Sequence, residues 1–308
     1  MQDKNHSTRA PLVSVSIITY NQAQFIHEAL QSALSQDYKN IEVVVSDDGS
    51  TDGTAEIILE YARRHPGKVV PLVGGPNLGI TGNSNRALKA CQGKYIAFMG
   101  GDDTLLPTKV SKQVAWLEAD KDRVLCYHDV DVYDSESGKS LYLWSQKYRF
   151  RMGNAKSVVK YGTFFAATSV MVRYPHQLHI VFNENIPTAS DWLMWIEILE
   201  RQVGYLGYVE GVYARYRRHP NNITSTGSHQ LHDLMATIDA IEWLAPNKYN
   251  WECKQKRAEI YFLEAYKNIS AKRFCMAFAS LFQSLRVCRG FWIAPFRLLV
   301  AKVFSGKL

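Results

Sequence analysis

The chain has 308 residues, 46% hydrophobic and 21% charged, which predicts a globular protein with a full core and excludes a disordered one. Its net charge of +7 comes from the C-terminal end, because residues 265–308 contain eight Lys or Arg and no Asp or Glu. The rest of the chain has 28 basic and 29 acidic residues and is nearly neutral. This distribution argues against a nucleic-acid partner. The five cysteines lack CxxC spacing, which argues against a zinc site or a disulfide framework and predicts a reducing, cytoplasmic compartment.

Strands and helices are predicted to alternate along the first half of the chain. Residues 1–11 are polar and predict a disordered tail without a signal peptide, and no apolar run is long enough to span a bilayer. Strands are predicted at 12–20, 41–46, 68–73 and 95–99, with amphipathic helices after the first two and a short helix at 86–91. This alternation predicts an α/β fold with a doubly wound, mostly parallel, Rossmann-like sheet. The GxGxxG fingerprint of a dehydrogenase does not follow the first strand.

The fourth predicted strand ends in two glycines and two carboxylates, Gly100, Gly101, Asp102 and Asp103. A strand that is apolar throughout lies inside a sheet, and ligands of such sheets bind at the carboxyl ends of the strands. Adjacent carboxylates repel each other unless a cation lies between them, so Asp102 and Asp103 are candidate metal ligands. The alternative is a solvated turn that caps the next helix. The second predicted strand also ends in an acidic pair, so both pairs can face one crevice.

Motifs in a fixed order resemble those of family 2 glycosyltransferases, the inverting, nucleotide-sugar-dependent enzymes with the GT-A fold. The motifs are Tyr20-Asn21, DDGSTDGT from Asp47, Asn77-x-Gly79, GKYIAFMGGDD ending at Asp103, SDWLMW from Ser190 and YRRHPNNITS from Tyr216. The resemblance implies a GT-A domain over 12–227 that transfers a sugar from a nucleoside diphosphate sugar to a hydroxyl of a glycan or lipid-linked acceptor, in bacterial-type surface polysaccharide or glycolipid synthesis. Many relatives carry a further acid where this chain has Gly100, which leaves open a non-catalytic nucleotide-sugar-binding or interaction protein on the same fold.

The resemblance also implies roles for individual residues. Contacts with the nucleotide sugar are expected from Tyr20, Asp47, Asp48, Asn77, Gly79, Asn85 and Asp102. Mn²⁺ or Mg²⁺ at the diphosphate is expected to be held by Asp102, Asp103 and His219, and the general base is expected to be Asp191. Structural alternatives stay open: Tyr20 could pack in the core, His219 could be structural, and Asp191 could be a helix N-cap, although Ser190 is available for capping.

After residue 227 helical stretches predict a C-terminal α-helical appendage over 228–308. Residues 146–162 are basic and aromatic and lie where acceptor recognition is expected; the alternative is a mobile loop. From residue 274 onward apolar residues are interleaved with Arg and Lys, which predicts a basic amphipathic tail on an anionic membrane surface. The alternatives are packing on the catalytic domain or a homodimer contact. The sequence thus predicts a cytoplasmic protein that is peripheral on the inner face of the membrane.

Overall fold

The computed structural model describes residues 10–188, 190–222, 230–288 and 290. The strands are β1 (Val13–Thr19), β2 (Ile41–Asp47), β3 (Val69–Leu72), β4 (Tyr95–Gly100), β5 (Thr104–Leu105), β6 (Arg123–Asp134), β7 (Ser140–Leu143), β8 (Met171–Arg173) and β9 (Tyr205–Arg218). The α-helices are α1 (Ala23–Leu34), α2 (Thr54–Arg64), α3 (Gly79–Ala90), α4 (Lys109–Glu118), α5 (Ala155–Tyr161), α6 (Ser190–Arg201), α7 (Gln230–Leu244), α8 (Asn250–Ser270) and α9 (Phe274–Val287). Short 3-10 helices lie at Trp144–Gln146, Ala167–Ser169 and His176–Leu178.

The strands form one sheet in the order β3-β2-β1-β4-β8-β6-β9-β5, with β7 paired to β6. The pairs among β1, β2, β3 and β4 are parallel, β8 is antiparallel to both of its neighbours, and β9 is parallel to β6. The predicted mostly parallel α/β sheet is therefore confirmed. Its first four strands lie within one residue of their predicted ends. The third helix is longer than predicted, because α3 begins at Gly79 and not near Arg86.

The central strands end together at one edge of the sheet. Thr19 pairs with Asp47 of β2, and Ile18 pairs with Gly100 of β4. The loop after β4 is fastened to this edge because the Gly101 N–H donates to the Ile18 carbonyl at 2.9 Å. The acidic pairs that follow β2 and β4 therefore lie on either side of the end of β1, as the crevice prediction requires.

Two hydrophobic layers cover the sheet. One layer contains α1, α2 and α4 with side chains from one face of the sheet, including Met99 of β4. The other contains α3, α5, α6 and α7 with side chains from the opposite face, including Phe98 of β4. Trp195 of α6 is fully buried, with its ring centroid 4.9 Å from that of Phe98 in β4. Because β4 faces a hydrophobic layer on both sides, it is apolar throughout. The packing of α6 fixes the position of its N-terminus, where Asp191 lies.

The C-terminal helices continue the second layer. Helix α7 packs on α6, α8 packs on α5 and α7, and α9 packs on α8. The Tyr249 hydroxyl donates to the Glu200 carboxylate at 2.5 Å and so ties the start of α8 to α6. The predicted N-terminal tail up to residue 9, the proposed domain boundary near 227 and the tail from 291 to 308 lie outside the described residues. No helix within the described ranges is long and apolar enough to cross a membrane.

Candidate active site

The turns after β1 and β2 are joined to each other by hydrogen bonds. The Asn21 N–H donates to the Ser50 hydroxyl at 2.8 Å, and the Thr51 N–H donates to the Asn21 side-chain oxygen at 2.9 Å. Asp52 accepts from the Ala23 N–H, at the start of α1, at 2.9 Å. Tyr20 lies in this fastened turn with 49% of its surface exposed, so the core-packing alternative is wrong. Its stacking on a nucleotide base stays a prediction.

The two aspartates at the end of β2 have different surroundings. Asp47 is buried, and its carboxylate accepts from both the backbone N–H, at 3.0 Å, and the hydroxyl of Ser50. Asp48 accepts from the Leu78 N–H through Oδ1, at 2.7 Å, and so holds the loop before α3. Asp47 is thus used within its own turn. Asp48 is the better candidate of the two for a nucleotide contact, which stays a prediction for both.

The loop before α3 closes over the end of β2. Gly49 has φ +76°, and an added Cβ would lie 3.1 Å from the Gly75 carbonyl oxygen, so a glycine is needed for this approach. Asn77 is exposed and accepts from the Gly79 N–H at 3.0 Å, which forms the turn that starts α3. Asn77 and Gly79 therefore lie at the same edge as Asp48, and their donor contacts stay predictions.

Asn85 and Arg86 have structural contacts in this protein. The Asn85 side chain accepts from the Phe182 N–H at 2.8 Å and donates to the Phe182 carbonyl and to Glu184, both at 2.9 Å. The Arg86 guanidinium donates to the carbonyls of Asp47 and Val73, both at 3.2 Å. Asn85 thus fixes the chain before α6, and Arg86 joins the ends of β2 and β3. The predicted contact between Asn85 and the nucleotide stays a prediction.

The acidic pair after β4 is held from β9. Asp103 is only 4% exposed, and its Oδ1 accepts from the Arg217 N–H at 3.1 Å. Burial and the charge of Asp102 raise the pKa of Asp103 well above its ordinary value. Asp102 is half-buried, and its Oδ2 accepts from Nε2 of His219 at 3.0 Å and from the Asn222 amide at 3.3 Å. These contacts are not those expected of a solvated turn that caps a helix.

Arg217 positions this pair and was not predicted as a site residue. Its Nε donates to the Asp102 carbonyl at 2.7 Å, its guanidinium forms an ion pair with Glu28, and it lies 4.7 Å from the centre of the Phe25 ring. The side chain is buried. Arg217 therefore joins α1, β9 and the backbone of the acidic turn, which leaves the carboxylates of Asp102 and Asp103 in a fixed orientation.

His219 lies beside Asp102, as predicted. Its ring packs against Phe25 with centroids 4.8 Å apart, and its backbone N–H donates to the Asn222 side-chain oxygen at 2.7 Å. Nε2 is used by Asp102, while Nδ1 is buried and has no hydrogen-bond partner within the described part of the chain. The geometry thus shows His219 orienting Asp102, and its role as a metal ligand stays a prediction.

The residues at this edge fit a cation that binds together with a diphosphate. No group of three or more His, Cys, Asp or Glu side chains converges on one point in the described ranges, so a cage built by protein alone is not formed there. Mg²⁺ and Mn²⁺ bind through one or two carboxylates together with substrate phosphates and water. A cation would also relieve the repulsion between Asp102 and Asp103, which contributes to the raised pKa of Asp103.

The N-terminus of α6 is anchored to α3. The hydroxyls of Ser190 and Thr81 lie 3.0 Å apart, and the Thr81 hydroxyl is also 2.7 Å from the Ile186 carbonyl. Ser190 is the first residue of the helix, and its hydroxyl is used by Thr81. Because a hydroxyl oxygen has two lone pairs and can accept a further hydrogen bond, the suggestion that Ser190 caps the helix stays a prediction.

Asp191 follows in the first turn of α6, where it is partly buried. Its Oδ1 accepts from the Trp192 N–H at 2.8 Å. The Trp192 indole donates to the Val158 carbonyl at 2.9 Å, which fixes this turn against α5. Burial raises the pKa of Asp191 from 3.8 to about 6. A carboxylate with this pKa is ionised at neutral pH and binds a proton more strongly than an ordinary aspartate, as a general base requires.

The predicted acceptor region is held against the body of the protein by aromatic contacts. Trp144 stacks on Tyr148 with centroids 4.8 Å apart, and its indole donates to the Phe164 carbonyl at 3.1 Å. Lys147 lies 3.5 Å from the centre of the Tyr142 ring. Basic and aromatic side chains thus line the surface between β7 and α5.

Known proteins of similar sequence and structure share this architecture. A relative from Haemophilus influenzae described as an uncharacterized glycosyltransferase is 28% identical over 239 residues, which cover 74% of this chain and 72% of the relative. The structure of Staphylococcus aureus TarS 1–349 in complex with UDP-GlcNAc matches with a TM-score of 0.66 and 19% identity, over 90% of this chain and 82% of that one. The match to a longer TarS structure covers 42% of that chain.

A second solved structure shows the same fold. The mannosyltransferase PcManGT from Pyrobaculum calidifontis, in complex with GDP-Man and Mn²⁺, matches with a TM-score of 0.58 and 19% identity, over 96% of this chain and 81% of that one. These likenesses confirm the predicted GT-A fold with its C-terminal helical region. The model of the family described as "Glycosyl transferase family 2" matches residues 14–174, more than half of the sequence, and the chain belongs to that family.

Proposed function

We propose that this glycosyltransferase moves a sugar, with inversion, from a nucleoside diphosphate sugar to a hydroxyl acceptor. The observation that carries the proposal is the acidic pair that follows β4, held by Arg217 and His219 beside the end of β1. The non-catalytic alternative has less support, because the chain also holds a partly buried carboxylate, Asp191, in the first turn of α6, where burial raises its pKa and makes it a candidate general base.

The donor nucleotide lies across the ends of β1 and β2 in this proposal. Tyr20 offers an exposed aromatic ring for the base, and Asp48 offers a carboxylate for a base N–H or a ribose hydroxyl. Asn77 and Gly79 lie on the adjoining loop. The support from other proteins is that TarS binds UDP-GlcNAc and PcManGT binds GDP-Man at the same fold.

Asp103 and Asp102 would hold Mg²⁺ or Mn²⁺ at the diphosphate, with His219 and Arg217 keeping both acids in place. The bound ion would stabilise the negative charge of the departing nucleoside diphosphate. Asp191 accepts the proton of the acceptor hydroxyl as that oxygen forms a bond to the anomeric carbon. The bond from that carbon to the diphosphate oxygen breaks on the opposite side, which inverts the configuration.

The acceptor, a glycan or a lipid-linked glycan of a bacterial-type surface polysaccharide or glycolipid, binds on the side of Asp191. The stacked rings of Trp144 and Tyr148 support this assignment, because aromatic surfaces pack well against sugar rings. Trp144 donates to Phe164, which belongs to the same hydrophobic layer as Trp192 beside the proposed base. One packed layer thus connects the acceptor surface to the base.

The test is a panel of nucleoside diphosphate sugars incubated with the protein and Mn²⁺ or Mg²⁺, with release of the nucleoside diphosphate as the readout. We expect release from one class of donor, loss of release in excess chelator, and loss in Asp103→Ala. Glu136→Ala, which changes an exposed acid, is the matched control and should behave as wild type. Full activity in excess chelator would contradict the proposed metal dependence. Binding of a donor without release, with or without candidate acceptors, would favour the non-catalytic alternative.

A further inference from the structure

Helix α9 presents most of its apolar side chains to solvent. Among the elements that the structure describes, its main packing partner is α8, which it contacts through a narrow buried strip that includes Ala277 and Ser284. The Ser284 hydroxyl donates to the Ala258 carbonyl at 2.7 Å. Large apolar side chains on the rest of the helix are exposed: Phe274 by 58%, Met276 by 54%, Phe278 by 72%, Phe282 by 64% and Leu285 by 44%. A helix of a soluble protein normally turns such residues inward, so this exposure calls for a partner.

Four of these residues form one continuous surface. Phe274, Phe278 and Phe282 are four residues apart and Leu285 is three further on, so they lie along one side of the helix. We call this set the α9 stripe. Its three aromatic rings lie beside the residues that pack on α8, not among them. Aromatic side chains in such exposed positions are suited to the boundary between a polar and an apolar phase.

The charges on α9, on the turn before it and on the last residues of α8 have one sign. Exposed basic side chains lie at Lys267 near the end of α8, at Lys272 and Arg273 in the turn, and at Arg286 near the end of α9. None of the four is in salt-bridge range of an acidic side chain in the described part of the chain, and the sequence has no Asp or Glu from 265 to 308. The surface therefore combines exposed aromatic rings with unneutralised positive charge.

We propose that the α9 stripe docks on an anionic lipid bilayer, with the phenylalanine rings in the headgroup layer and the basic side chains against lipid phosphates. Helices that lie in the membrane interface have this combination of an aromatic face and flanking cations. A second copy of the chain fits less well, because a two-fold contact through this surface would bring like charges together. The residues from 291 onward are also apolar and basic in sequence. They have the same charge as the surface around the α9 stripe, so they do not provide an acidic partner for it.

The test uses the full chain and vesicles of phosphatidylcholine with or without about one third phosphatidylglycerol. Binding is measured by co-sedimentation. Phe278→Ser with Phe282→Ser should weaken binding to the anionic vesicles about tenfold or more, while the neutral vesicles bind little of any variant. The control is Leu59→Ser with Val203→Ser, exposed apolar residues outside α8 and α9, which should change binding less than about twofold. Raising NaCl from about 0.05 to 0.5 M should release the wild-type protein.

A probe on Cys275 reports whether α9 itself meets the lipid. Cys275 is exposed and the other four cysteines are buried, so an environment-sensitive fluorophore can be attached to it selectively. Its emission should move to shorter wavelength with anionic vesicles. Unchanged emission despite sedimentation, or loss of binding only in Trp292→Ser with Phe296→Ser, would overturn the proposal by placing the contact elsewhere. So would a wild-type dimer that the Phe278 and Phe282 changes convert to a monomer with no change in vesicle binding.

Discussion

Replacement of Asp191 by asparagine distinguishes a general base from a helix cap. The asparagine side chain keeps the size of aspartate, and its oxygen can still accept from the Trp192 N–H. It cannot take up the proton of an acceptor hydroxyl. We therefore expect turnover to fall by about 10² or more, with little change in donor affinity. The measurement is steady-state release of nucleoside diphosphate in the presence of acceptor.

The same substitution should stabilise the fold at neutral pH. Burial raises the pKa of Asp191 from 3.8 to about 6, so the folded protein disfavours the carboxylate more than the unfolded chain does. This shift corresponds to at most about 3 kcal/mol at 1.36 kcal/mol per pKa unit, and partial exposure reduces it to roughly 1 to 2 kcal/mol. The penalty is absent below pH 3.8, grows as pH rises, and is complete above about 6. Asp191→Asn should thus raise the free energy of unfolding at pH 8 and leave it unchanged near pH 3.

Thermal unfolding at several pH values and the pH dependence of turnover test this reasoning together. In the wild type, turnover should rise tenfold per pH unit up to about pH 6 and then level off. The residual activity of Asp191→Asn should lack this rise. If the variant keeps normal turnover and loses about 1 kcal/mol of stability at neutral pH, Asp191 is a favourable charge at a helix N-terminus and not the base.

Three further substitutions test other parts of the site. Arg217→Lys keeps the charge but loses the contacts of the forked guanidinium group, so the apparent affinity for Mn²⁺ in the presence of donor should fall about 10- to 100-fold. An unchanged Mn²⁺ titration would show that Arg217 does not position the two aspartates. Tyr20→Ala should raise the KM for the donor about tenfold with stability nearly unchanged, because about half of the residue's surface is exposed. A large loss of stability would mean that Tyr20 has a packing role. Asn85→Ala should lower the free energy of unfolding by about 1 to 3 kcal/mol, because the buried Phe182 groups lose their partner, whereas a raised donor KM at unchanged stability would show a nucleotide contact.

The sequence was sufficient to predict the parallel half of the sheet and its acidic edge. Strands inside a parallel sheet are rich in apolar and β-branched residues, so β1, β2 and β4 could be recognised from composition alone. The turn residues that follow them lie at one edge of the sheet because the carboxyl ends of parallel strands meet there. The position of the two acidic pairs therefore followed from local patterns.

Contacts between distant parts of the chain could not be predicted in this way. Arg217 reaches Asp102 and Asp103 because β5 pairs with β9, and more than 100 residues separate the two sides of that pairing. Asn85 likewise bonds to Phe182, 97 residues away. No short-range pattern records such pairings. The motif YRRHP predicted a role for His219 and none for Arg217, because the contacts of Arg217 with the acidic turn depend on the pairing of β5 with β9.

The start of α3 was missed for a related reason. The stretch ITGNSN from Ile80 to Asn85 is rich in loop-forming residues and predicts a loop. In the fold its polar side chains are buried because they bond to other elements: Thr81 to the chain before α6, and Asn83 to Ser46 of β2. Tertiary hydrogen bonds thus override the local preference.

The most direct test of the central claim is the position of the metal and the donor at the sheet edge. Crystals grown with Mn²⁺ and a nucleoside diphosphate sugar, measured at the manganese absorption edge, locate the ion by anomalous scattering. We predict one strong peak about 2.2 Å from a carboxylate oxygen of Asp103 or Asp102, in contact with the diphosphate, with the base beside Tyr20. A donor bound elsewhere, or bound at this edge with no manganese between the acids and the diphosphate, would contradict the account.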